Sequence, residues 1–445
     1  MMNTNSPIPA SPAETKGWPS ATQGWLTVAA FCVAAILSYT DRQILSLLVD
    51  PIRGDLQISD TQIGLLQGMA FAIVYSFAGI PFGRMADRTA RRTVILAGIV
   101  VWSLGTLLCG MAGSFGELFA GRLIVGIGEA ALAPAATSMI GDLFPQERRG
   151  VALGVFMMGM VVGGGVAIGI GGGILTLATA GAFEGLPFIG DLAPWRTALV
   201  LLALAGVPLL IGLAFIPEPA RRGLAEGGSG GLPLRRTFEM LADLRWRILP
   251  LVLGCAMMAV GDFAMLSWAP ALLSRNFAMA PGEIGALLGT LIVIAGVIST
   301  VGGGYVSDRL TRRSGAIGRV HLAVAACVLA LPCSFIWFAT GPYQVLALVS
   351  LWTMISTVAG VTGIVALQES VPNELRGLSV SFIGFGNILV GLGIGVTMIG
   401  FVVDNVFVDP LSLGKALTLC VTPAAIIAIF SFALAGRAIR KASHS

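Results

Sequence analysis

Long apolar runs separated by short polar breaks recur along the whole chain. Twelve of them are long enough to cross roughly 30 Å of membrane hydrocarbon as helix, over residues 24–49, 60–83, 93–112, 115–141, 150–177, 194–216, 248–274, 282–306, 319–340, 343–368, 376–402 and 412–436. Backbone amides in hydrocarbon must be satisfied within the segment or by a closed barrel, and these runs are too uniformly apolar for the alternation of barrel strands. They predict helices, and the fold class that follows is an all-α membrane protein. Composition points the same way: 56% of the chain is hydrophobic and 11% charged, against about 25% charged in soluble domains.

Charge sets the expected orientation. Of the 27 Lys and Arg, all but Arg42, Arg53, Arg122, Arg196, Arg275 and Lys415 fall in the tails and the even-numbered loops. Cytoplasmic loops carry the excess of Lys and Arg, so both termini are expected in the cytoplasm and the protein in the cell's inner (plasma) membrane. The net charge of +4 then reflects topology, and no nucleic-acid partner is implied. Residues 1–23 lack the basic start and short apolar core of a signal peptide and read as an uncleaved, disordered cytoplasmic tail; residues 438–445 read as a second tail.

The chain repeats itself. Gly83-Arg84-Met85-Ala86-Asp87-Arg88-Thr89-Ala90-Arg91-Arg92 ends the second run, and Gly304-Tyr305-Val306-Ser307-Asp308-Arg309-Leu310-Thr311-Arg312-Arg313 ends the eighth, an offset of 221 that also carries Asp41 onto Asp262. An offset of 227 carries Phe144-Pro145 and Arg149-Gly150 onto Val371-Pro372 and Arg376-Gly377. Two parallel six-span repeats are expected, 24–216 and 248–437, enclosing a central site. The linker 217–247 combines a flexible Gly227-Gly228-Ser229-Gly230-Gly231 stretch with a basic amphipathic helix carrying Leu234, Phe238 and Leu241 beside Arg235, Arg236 and Arg245.

Candidate chemistry lies where charges enter the apolar runs. Asp41 and Arg42 sit side by side in the first, Arg122 and Glu129 in the fourth and Asp262 in the seventh. An ionised group at membrane depth costs at least about 2.5 to 3.5 kcal/mol and requires a partner, a watery cavity or a task. Arg122 and Glu129 are seven residues apart, on one helix face about two turns separated. If the first and fourth spans adjoin one cavity, Asp41 reaches Arg122 and Arg42 leans toward Glu129. A static network holding two helices together is the plainer alternative, although Gly and Ala would join helices at lower cost. Asp262 reads equally as a second titrating or cavity-lining group and as a satisfied structural carboxylate. Cys32, Cys109, Cys255, Cys327, Cys333 and Cys420 lie in apolar runs outside any metal-ligand spacing, and His321 and His444 are too few for a metal. Neither a nucleotide-binding loop nor a nucleophile constellation is present, so no cofactor, metal or enzymatic activity is expected.

The loop after the second span, its weaker copy after the eighth and Arg122 resemble the signatures of the major facilitator superfamily over about residues 24–437. Within it, Tyr39-x-Asp41-Arg42 with Arg122-x-x-x-Gly126-x-Gly128-Glu129-Ala130 is similar to the Spinster-type lipid transporters. The fifth span has a glycine-rich run, Gly159 through Gly173, in place of the superfamily's antiporter Gly-Pro. The resemblance implies the major facilitator fold and a cytoplasmic gate formed by Gly83, Asp87, Arg88, Arg91, Asp308 and Arg309. Asp87 would engage the N-terminus of the eleventh span near Arg376, and Asp308 the start of the fifth. It further implies a monomeric secondary transporter; the buried charges predict proton coupling, with Asp41 and Glu129 carrying protons and Arg42, Arg122 and Asp262 forming the substrate-binding or charge network. The expected substrate is an amphipathic anionic lipid such as a lysolipid or sphingolipid phosphate, its head on Arg42 and Arg122, with membrane lipids around the protein. A small organic anion or sugar phosphate is the alternative, and a non-transporting receptor or scaffold is the reading from another class.

Overall fold

The computed structural model describes residues 18–222 and 234–443. Most of the N-terminal tail, the glycine-rich part of the linker and His444 lie outside the described residues. Among the described residues, twelve helices are long and apolar enough to cross a membrane: α1 (Ala21–Ile44), α2 (Asp60–Arg88), α3 (Arg91–Met111), α4 (Phe115–Leu143), α5 (Gln146–Thr179), α6 (Pro194–Ala214), α7 (Arg245–Phe277), α8 (Pro281–Ser307), α9 (Ile317–Phe338), α10 (Pro342–Ser370), α11 (Asn373–Phe407) and α12 (Pro410–Lys441). No strand occurs among the described residues. The protein is thus an all-α, multi-pass membrane protein. A ten-residue helix, Leu234–Asp243, lies between the two sets of six spans.

The sequence boundaries shift most at α1 and α2. The apolar run predicts α1 to residue 49, but the helix stops at Ile44 and a buried turn leads into a short helix, Val49–Leu56. Pro51 accounts for the break, since its ring clashes with the carbonyl four residues back, at Leu47. Pro134 acts alike in α4: the helix is interrupted at Ala130 and Ala131, just after Glu129, and resumes at Leu132. Conversely, α2 runs on to Arg88 rather than ending near 83, so Gly83, Asp87 and Arg88 are helical.

The repeat is visible in side-chain contacts. Arg91 at the start of α3 pairs with Asp142 at the end of α4, and Arg319 at the start of α9 pairs with Glu369 at the end of α10 at 3.0 Å, with Asp142 and Glu369 related by the offset of 227.

Between the halves, α2 packs on α11 and α5 on α8. With twelve spans both chain ends lie at one end of the bundle, called here the terminal end; the opposite one is the far end. Toward the far end the helices meet backbone to backbone at glycines. A Cβ on Gly289 of α8 would lie 2.6 Å from the Gly165 carbonyl of α5, and one on Gly64 of α2 would lie 2.9 Å from the Thr397 Cα of α11. Toward the terminal end, a Cβ on Gly83, Gly150, Gly304 or Gly377 of the same four helices would meet nothing within 4 Å among the described residues. Small residues let helix backbones approach in lipid, and here they close one end of the inter-half seam, whereas the glycines named at the other end make no such approach among the described residues. Gly289→Val is therefore expected to force α5 and α8 apart at the far end. Paired spin labels there should report a longer distance than in the wild type, and an unchanged distribution would refute this role for the contact.

Candidate functional site

Four charged side chains meet where α1 and α4 break. Arg42 Nη2 donates to Glu129 Oε2 at 2.9 Å, and Arg122 Nη1 to Asp41 Oδ1 at 3.4 Å. All four are buried, with Asp41 3%, Arg42 5%, Arg122 1% and Glu129 2% exposed. Adjacent helical residues diverge by about 100°, so Asp41 and Arg42 reach different partners on α4. Thr106 of α3 donates to Asp41, and the Ser38 hydroxyl donates to Glu129 at 2.8 Å. The Arg42 guanidinium is boxed by aromatic rings, 4.3 Å from the centroid of Phe71, 4.7 Å from Tyr39 and 5.0 Å from Tyr75. Cation–π attraction of this kind strengthens when the cation is desolvated. Thr106, Ser38, Phe71 and Tyr75 escaped sequence reasoning because they are ordinary constituents of an apolar run.

The network is not fully satisfied. Arg42 Nε, Arg122 Nη2 and Glu129 Oε1 are buried without a hydrogen-bond partner among the described residues. Buried polar groups are nearly always paired, so this cluster retains capacity for a further donor and acceptor. A cavity of about 240 Å³ adjoins it, lined by Ser38, Tyr39, Arg42, Tyr75, Glu129 and Met160 from one half and Gly384 and Ile388 of α11 from the other. Arg42 faces this space, whereas Asp41 and Arg122 are absent from its lining. Of the two arginines expected to hold a substrate head, Arg42 borders this cavity and Arg122 lies behind the Arg42–Glu129 layer. Asp262 is also absent from that lining; it accepts from Trp352 Nε1 at 3.0 Å and from the Ser356 hydroxyl, both on α10.

The far end holds a second charge cluster, one that sequence reasoning missed. Arg275 at the end of α7 grips Asp60 with both terminal nitrogens, at 2.7 and 2.9 Å, and Asp50 through Nε at 2.7 Å. Asp404 near the end of α11 accepts from the Thr61 amide at 2.6 Å, the Thr61 hydroxyl at 2.6 Å and the Asp60 amide at 3.3 Å. A carboxylate thus caps the N-terminus of α2, where free amides and the helix dipole favour negative charge.

At the terminal end the expected gate residues are dispersed. Asp87, Arg88 and Arg309 are exposed and Gly83 is half-buried, while the Asp308 side chain lies outside the described residues. Arg221 covers the end of α2, donating to the carbonyls of Asp87, Ala86 and Thr89, the last two at 2.7 Å. Arg91 lies within one half, 1% exposed, paired with Asp142 and with Glu218 at 2.8 Å. Burial of Glu218 opposes its ionisation, but hydrogen bonds from the Arg92 amide and from the Arg91 side chain and amide prevail and hold its carboxyl below the usual range.

Twelve spans in two repeats, closed at one end and meeting around buried charges, define a membrane transporter. The family model described as Major Facilitator Superfamily matches residues 31–398, and the chain belongs to that superfamily. An MFS-type efflux pump of Mycolicibacterium smegmatis is 28% identical over 427 residues, 94% of each protein. Protein spinster of Drosophila melanogaster is 28% identical over 297 residues, covering 65% of this chain and 46% of the fly protein. The crystal structure of a bacterial homologue of the human lysosomal transporter Spinster, in an inward-facing and unoccupied conformation, aligns with a TM-score of 0.78 at 23% identity. It covers 95% of this chain and 98% of that one, a match of fold.

Removing one partner of a buried ion pair costs about 3 to 5 kcal/mol, whereas replacing both with apolar residues is often neutral. Glu129→Ala should accordingly lower the melting temperature in detergent markedly, and the double change Arg42→Met with Glu129→Leu should recover most of the loss. Equal stability of Glu129→Ala and wild type would show that the pair does not hold α1 to α4.

Proposed function

We propose that the protein is a proton-coupled secondary transporter that moves an amphipathic anionic lipid, of the lysolipid or sphingolipid-phosphate class, by alternating access, with both termini in the cytoplasm. The observation that carries this reading is the two-layer charge cluster: Arg42–Glu129 faces the cavity and Asp41–Arg122 lies behind it. Arg42 would take the anionic head. Asp41 would take the proton, since burial favours its neutral form while Arg122 favours its charged form, and a group between opposing influences can switch as water access changes. Protonated Asp41 would release Arg122, which shares a helix face with Glu129 and can compete for it, freeing Arg42. Substrate and proton would then be linked without touching. The likeness to protein spinster supports the lipid class. A small organic anion or sugar phosphate is the second reading, favoured by the modest cavity of about 240 Å³.

In liposomes, Asp41→Asn should abolish accumulation driven by an imposed pH gradient while leaving substrate binding and folding intact. Accumulation at wild-type levels would remove Asp41 from the coupling role and move attention to Glu129 or Asp262. Lysolipids and short-chain phosphates, compared in the same assay, separate the two substrate readings.

If the basic loops lie inside, this conformation reads as inward-open, and Asp87 would bind the N-terminus of α11 only after the cytoplasmic side closes. The two gates should then respond oppositely. Asp404→Asn should populate outward-open and Asp87→Asn inward-open molecules. Spin-label distances at the two ends would report it, and shifts of the same sign in both variants would contradict the two-gate reading.

A further inference from the structure

We propose that the terminal-end junction of α7 and α12 is a binding site for the head group of an anionic phospholipid. Trp246 and Arg247 at the start of α7 and Leu434, Arg437 and Lys441 at the end of α12 line a cavity of about 490 Å³, with Asp243 of the linker helix at its margin. The three cations have no ion-pair partner among the described residues, and neither does Asp243. Arg247 is half-buried and Arg437 and Lys441 are exposed, so three cations are concentrated around one cavity.

The surroundings identify the ligand as a lipid rather than a soluble anion. Along α7, Trp246, Leu249 and Leu253 are exposed at 60%, 61% and 45%, spaced as one helical stripe. Along α12, Phe430 and Leu434 are exposed at 71% and 46%. These apolar strips belong to spans that face hydrocarbon, and both lead to the basic pocket at the helix ends. Tryptophan is enriched at the boundary between hydrocarbon and head groups, and basic pockets between spanning helices suit anionic head groups. An acyl chain lying along the strips would deliver a phosphate to Arg247, Arg437 and Lys441. Asp243 would repel a second phosphate but accept from a head-group hydroxyl, which favours phosphatidylglycerol. Such a lipid would tie the linker helix to α7 and α12, and this is independent of the transported substrate.

The test is native mass spectrometry of the full chain in detergent, titrated with phosphatidylglycerol, phosphatidylethanolamine or phosphatidylcholine. Phosphatidylglycerol should bind at least tenfold more tightly than either zwitterionic lipid, a difference of about 1.4 kcal/mol or more. Arg247→Gln with Arg437→Gln and Lys441→Gln should remove that preference, and Arg84→Gln with Arg148→Gln, two exposed basic residues at the same end, should keep it. The single variants Arg437→Gln and Lys441→Gln should each lower it if the triple variant is unstable. Equal binding of all three lipids, a preference that survives the triple variant, or displacement of the lipid by an equal concentration of free glycerol phosphate would overturn the proposal.

Discussion

Burying charge in a membrane is the constraint on which the rest of this structure depends. Each ion alone would incur a desolvation penalty of several kcal/mol, and mutual attraction offsets it only when geometry and secondary hydrogen bonds are good. The chain meets that condition by putting two acids and two bases on facing helices, so that the cluster has no net charge. Its supports come from three further directions: Thr106 from α3, Phe71 and Tyr75 from α2, and Ser38 from one turn earlier in α1. The helix breaks set by Pro51 and Pro134 lie directly after Arg42 and Glu129. Irregular backbone at membrane depth is tolerated where it is buried in protein or lines a cavity, and here it is buried beside one.

Much of this was legible in the sequence. The twelve runs follow from length alone, and the repeat from recurring Asp-Arg and Pro/Arg-Gly pairs. The positions of Asp41, Arg42, Arg122 and Glu129 stood out because carboxylates and guanidinium groups are rare in apolar runs. The far-end cluster did not stand out. Asp50, Asp60, Arg275 and Asp404 lie near span ends, where charges are common, and Arg275 meets Asp60 across 215 residues of chain while Asp404 meets Asp60 across 344. Pairing at such separation is a property of how two bundles dock and leaves no local pattern. The proline breaks were readable, since each proline disfavours helix four residues before it, but a hydropathy run passes over them. The layering of Arg42 in front of Arg122 was not readable, because depth along a helix says nothing of which side faces the cavity.

The α2 and α11 pair carries the remaining logic of the proposed cycle. These are antiparallel neighbours of 29 and 35 residues, and at the far end a carboxylate of α11, Asp404, caps the start of α2. At the terminal end the chemistry is available in reverse: Asp87 of α2 stands exposed, and α11 begins at Asn373 after a proline, with its first amides lacking intrahelical acceptors. In an alternating-access cycle, two helices packed through their middle would not be drawn together at both ends at once. In the proposed cycle the two latches would compete, each built on one carboxylate at one helix N-terminus, with their energies balanced closely enough to be reversed. A small difference is what a modest driving force can reverse: a pH difference of one unit is worth about 1.4 kcal/mol per proton, a tenfold change in population. Arg275, with its fork on Asp60 and its third contact to Asp50, adds to the far-end side, and a cation beside the terminal end of α2, Arg221, caps the helix whose carboxylate would otherwise close that end. In this conformation the far-end contacts are the ones that are made, and in the proposed cycle a proton on Asp41 would alter the balance from the bundle's interior.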